Sequence, residues 1–170
     1  MKTLAIALII GVKFGLPLLF LRFPFAAGWA NFVLDSIDGD ILLPLGLSDA
    51  VYQPIDKAAD WVSYVFMVVA ARKWPIYKAA IALFVLRSVG QALFFVTGNE
   101  LVFFLFPNFL EPLFLAYATI RVFRRDAAAA FYAHHRVVVW LIVVLYKMQD
   151  EWVTHVSNVD RSELIRGLLR

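Results

Sequence analysis

The sequence predicts an all-α, polytopic integral membrane protein with about six transmembrane helices in one bundle. Of 170 residues, 62% are hydrophobic and 17% charged, where a soluble domain has roughly half and a quarter. Mean hydropathy is +0.77. The apolar residues form continuous blocks rather than alternating at helix or strand period, each near the ~20 residues a membrane-crossing helix needs. The 16 Phe and 5 Trp suit lipid-facing and interfacial surfaces.

The first block covers about 3–22. Lys2 ahead of the run Leu4 to Val12 resembles a signal peptide. Lys13 interrupts that pattern, and hydrophobicity resumes through Leu21 without a small-x-small cleavage site, so a retained first span is expected. Arg22-Phe23-Pro24 introduces the second block, 25–47, and the third runs over 50–71. Lys73-Trp74-Pro75 precedes the fourth, 75–97, and Gly98-Asn99-Glu100 forms the next turn. The fifth, 100–123, contains Pro107 and Pro112 and should be kinked. Asp126 is placed to cap the sixth, 128–147, which starts in the alanine run 127–130. Residues 1–148 thus form the transmembrane domain. The polar tail, 149–170, carries Leu164, Ile165, Leu168 and Leu169 and is expected to lie on the membrane as a short helix.

With six spans, the connections holding Arg22, then Arg72 and Lys73, then Arg124 and Arg125 share one side, the cytoplasmic one by the positive-inside rule. The connection between the second and third segments lies opposite. The basic tail (Arg161, Arg166, Arg170) counts against this orientation.

The chain has no cysteine, which removes disulfides and thiolate metal sites. Its +3 charge and pI near 9.3 fit orientation in the bilayer and contact with membrane lipids rather than nucleic acid, since no Lys/Arg patch interleaves with exposed aromatics. His134 and His135 are adjacent, do not share a helix face, and are expected to meet headgroups rather than chelate an ion. Arg87, one turn before Gln91, is expected either to pair with Glu111 across the bundle or to meet an anionic headgroup or phosphate.

The aspartates carry the chemistry. Six of nine fall between Asp35 and Asp60, and a lone Asp at the centre of a span costs about 2.5–3.5 kcal/mol. The region is therefore interfacial, or faces a wet cavity, or is neutralised by a cation. Asp35 and Asp38 are three apart, Asp56 and Asp60 four apart, so each pair shares one helix face. Two such faces turned together would gather four carboxylates, hard oxygen ligands suited to Mg²⁺ or Mn²⁺. Lys57 would snorkel or pair within the cluster.

Asp35, Asp38, Gly39, Asp56 and Asp60 keep the register of D-x2-D-G-x2-A-R-x8-G-x3-D-x3-D, so the stretch resembles the CDP-alcohol phosphotransferases. The chain departs from the pattern at Leu42-Leu43, where that family has Ala-Arg, and at Tyr52, where it has glycine. The resemblance implies six membrane helices and transfer of a phosphoalcohol group from a CDP-linked lipid donor to an alcohol. It implies Asp35, Asp38, Asp56 and Asp60 as the metal site, Asp60 also as catalytic base, and Gly39 as the residue leaving room for the nucleotide. A homodimer is a further expectation. The alternatives are a non-enzymatic cation transporter or channel-like protein and a structural membrane subunit.

Overall fold

The computed structural model of the chain describes residues 1–99 and 101–153. It is all-α, with no strand among the described residues. Helix α1 spans Lys2–Gly15 and continues as a 3-10 segment, Leu16–Leu21. Pro17 has no N–H to give an α-helical bond, and the chain tightens there. Helix α2, Pro24–Leu45, opens on a proline at its first position and closes at Gly46, whose φ of 109° is left-handed. Helix α3 is Asp49–Ala70 and α4 is Tyr77–Thr97.

The fifth expected span is not one helix. It divides into α5, Leu101–Leu105, and α6, Leu110–Phe123. Pro107 sits in the break, and the Asn108 side-chain oxygen accepts the Glu111 N–H at 3.3 Å, starting a new helix. The 14 residues of α6 extend about 21 Å at 1.5 Å per residue, short of the ~30 Å hydrocarbon core. Helix α7 is Ala128–Glu151. Asp126 does not cap it: the aspartate lies in a 3-10 turn, Arg125–Ala127, and the N-cap is Ala127 with no side-chain acceptor. The tail's first residues extend α7 to Glu151, and its expected surface helix falls on 154–170, outside the described residues.

Among the described residues, three stretches are long and apolar enough to cross a membrane: Lys2–Leu21, Tyr77–Thr97 and Arg125–Glu151. Helices α2 and α3 have the length, at 22 residues each, and carry the aspartates. Outward positions are apolar: Leu4 and Leu8 on α1, Val85 and Val96 on α4, Val137, Leu141 and Leu145 on α7. Polar side chains are inside: Lys13, Asp38, Asp56, Asp60, Arg87, Gln91, Asn108, Glu111 and Glu151 are all buried. Apolar outside and polar within is the pattern of a chain whose solvent is lipid.

Helix α2 packs on α6, α3 on α4, and α6 on α7, while the Leu16–Leu21 segment wedges against both α2 and α3. An aromatic group anchors this end of the core. Trp74 stacks on Phe114 at 5.1 Å between centroids, Phe20 meets Phe114 at 5.6 Å, and Tyr117 meets Tyr132 edge to face at 5.5 Å. At the break, Gly90 of α4 admits Phe106 so closely that a Cβ there would stand 2.5 Å from the Phe106 Cβ. Gly90→Ala should therefore lower the melting temperature in detergent, whereas Gly11→Ala, with nothing within 4 Å, should not; equal melting of the two variants would contradict this close approach.

Candidate cation site

Helix periodicity brings the expected carboxylates together. Asp35 and Asp38 stand one turn apart on α2, and Asp56 faces them from α3, so that one oxygen of each lies within 4.8 Å of the others. Asp38 is fully buried, Asp56 nearly so, and Asp35 partly open. Asp60, one turn beyond Asp56, is buried but not part of that triad, and no described residue gives it a hydrogen bond or ion pair.

The residue that organises the triad is Lys13 of α1. Its ammonium pairs with Asp38 and Asp56 and stands 3.0 Å from Asp35 Oδ1. Lys57 pairs with the other Asp56 oxygen at 2.7 Å rather than snorkelling outward. Asp38 Oδ1 accepts the Tyr52 hydroxyl at 2.9 Å and the Gly39 N–H at 2.8 Å. With all groups ionised, the three carboxylates of the triad face the ammonium groups of Lys13 and Lys57, and one negative charge remains. Carboxylate oxygens from two helices are the donors that Mg²⁺ and Mn²⁺ take. The donor set fits such an ion, with Lys13 its competitor for the same oxygens. The space beside Gly39 is narrow: a Cβ there would lie 3.1 Å from the Tyr52 hydroxyl.

A second buried network lies against the first. Arg87 does not pair with Glu111. Its Nη1 lies 3.6 Å from Glu151 Oε1 and donates to the Phe106 carbonyl at 3.0 Å, with the guanidinium over the Phe103 ring. Glu151 also takes Lys147 at 3.2 Å and the Asn108 N–H at 3.2 Å. Asn108 Nδ2 donates to Tyr64 at 3.0 Å and to Glu111 at 3.3 Å. Gln91 Nε2, one turn on from Arg87, donates to the Lys57 carbonyl at 3.1 Å. Glu111 is thus held by Asn108, three residues away, instead of by Arg87.

His135 turns back on its own helix. Its Nδ1 is 2.9 Å from the Phe131 carbonyl, its ring stacks on Phe131 at 4.2 Å, and α7 is kinked there.

Sequence reasoning missed Lys13 as a partner, and with it Lys147, Glu151, Asn108 and Tyr64. A signal was present for Lys13, because an ammonium inside an apolar block is as costly as a carboxylate and needs a counter-charge. No family model, no curated protein and no solved structure matches the chain.

Proposed function

We propose that the chain is a multi-span membrane protein of the CDP-alcohol phosphotransferase type, a divergent one, with a divalent-cation site at Asp35, Asp38 and Asp56. The observation that carries this reading is the convergence of those three carboxylates from α2 and α3, at the spacing that suggested the resemblance. Helices α2 and α3 have the length of a span but carry acids, of which Asp35, Asp38 and Asp56 face Lys13.

In this reading Asp35, Asp38 and Asp56 hold the cation, Mg²⁺ or Mn²⁺, which supplies charge neutralisation for a diphosphate. Asp60, free of hydrogen-bond partners among the described residues, takes the proton of an acceptor alcohol. The alcohol oxygen bonds to the phosphorus of the donor's phosphoalcohol group, the P–O–P link breaks, and CMP leaves. Lys57 orients Asp56 through their ion pair. The test is CMP release from a CDP-linked lipid with an alcohol and Mn²⁺, expected in the wild type and lost in Asp60→Asn. Full turnover by Asp60→Asn, or none by the wild type over a broad donor panel, sinks the transferase reading.

One observation favours a second reading. Lys13 occupies the carboxylates and Tyr52 closes the space beside Gly39, an arrangement that suits a cation-translocating protein with no nucleotide to admit. Metal-dependent ion flux in liposomes, lost in Asp38→Asn and unaccompanied by CMP release, supports that reading instead.

A further inference from the structure

At the opposite end of α2 from the triad, a cleft of about 760 Å³ opens between the Leu16–Leu21 segment, the start of α2, Trp74 and the end of α6. Arg22 lines it from one chain segment and Arg121 and Arg125 from another, with Asp126 the one acidic group on its wall. No carboxylate of the described residues pairs with any of the three arginines. Arg121 lies over the Trp74 ring at 5.0 Å and Arg22 over Phe23 at 5.5 Å, contacts that hold the planar heads while leaving their N–H edges free.

Position decides what such a cleft meets. Arg22 directly follows one apolar stretch, Lys2–Leu21, and Arg125 opens another, Arg125–Glu151. Both therefore stand where hydrocarbon gives way to headgroups. The first turn of α2 shares the wall, and its positive dipole end adds to the arginines. Asp38 lies 14 residues beyond Pro24 on the same helix, about 21 Å along the axis, so this cleft is distinct from the triad.

We propose that the cleft binds a phosphate-bearing anion at the membrane surface, with Arg22, Arg121 and Arg125 as its ligands. Guanidinium forks match phosphate oxygens two at a time, and three of them hold the monoester or diester phosphate common to an anionic lipid headgroup and a free phosphate compound. The site does not depend on the function proposed for the aspartates.

The test uses the full chain in phosphatidylcholine nanodiscs. Binding is read once with short-chain phosphatidic acid and once with inorganic pyrophosphate. Arg121→Gln with Arg125→Gln should weaken binding at least about tenfold, the scale expected when charge-assisted bidentate contacts are lost. Arg72→Gln with Lys73→Gln removes the same charge outside the cleft and should leave affinity nearly unchanged. Arg22→Lys, which keeps charge and fold, should still weaken binding because the fork is gone. Loss with the lipid probe alone assigns a headgroup, and loss with pyrophosphate alone assigns a soluble phosphate; either supports the site. Equal loss in the two double variants would mean diffuse surface charge and overturn the proposal, as would unchanged binding in all three.

Discussion

Lys13→Met is expected to cost about 3–5 kcal/mol of stability, the usual penalty for stripping one partner from a buried ion pair. Methionine keeps the length and apolar stem of lysine, so the loss isolates the ammonium rather than the packing. Asp38 and Asp56 would then face each other and Asp35 with only Lys57 in opposition. Divalent cation should restore much of the loss, because binding to the folded state alone adds about 2.7 kcal/mol at a hundredfold excess over Kd. The increment with Mn²⁺ in Lys13→Met should therefore exceed that of the wild type, in which the ammonium competes. Combining Lys13→Met with Asp38→Asn should recover part of that stability without metal, since the most deeply buried of the three acids is then neutral. Asp49→Asn, at the exposed start of α3, is the control and should change neither value. An unchanged melting temperature in Lys13→Met would show that the three acids are not built around this lysine.

Glu151→Ala should be nearly as damaging, at about 3–5 kcal/mol, although the residue lies in a stretch that reads as a polar tail. Its carboxylate is 1% exposed and is shared by Arg87, Lys147 and the Asn108 N–H. Removing it leaves the buried Arg87 and the half-buried Lys147, with Asp150 the remaining partner of Lys147. The backbone at the α5–α6 break also loses an acceptor. Protease cleavage near 106–109 should rise in parallel with the fall in melting temperature. Retention of wild-type stability would mean that α7 is anchored elsewhere.

The helical blocks were legible because each is a continuous apolar run bounded by Pro, Gly or basic residues, and those boundaries recur within a few residues in α1 to α4 and α7. The shared face of Asp35 and Asp38 was legible because i,i+3 spacing is a property of one helix; that Asp56 of α3 joins them and Asp60 does not is a matter of how the two helices pack. What escaped was every partnership between helices distant in sequence. Lys13 is 25 residues from Asp38 and 43 from Asp56, and nothing in local spacing points from one to the others. Arg87 was matched to Glu111, the nearest acid in an apolar setting. The structure matches it to Glu151, which required α7 to run past 147 into residues that look like tail. The split of the fifth block turns on Pro107, which has no N–H to give, and on Asn108, whose side-chain oxygen accepts the Glu111 N–H at the start of α6. A proline marks a kink from sequence alone, but whether the helix bends or stops depends on such local substitutes.

The position of Lys13 bears on how the chain is made. Ribosomes extend chains at about 5–20 residues per second, so α1 is synthesised seconds before Asp56. An ammonium alone at the middle of a span costs about 2.5–3.5 kcal/mol on insertion scales. On the reading that it spans the bilayer, α1 is therefore a reluctant solitary occupant until its counter-charges arrive. Helices α1, α2 and α3 should partition from the translocation machinery as a group, and nascent chains arrested before Asp35 should be more readily extracted by alkali than those arrested after Asp60.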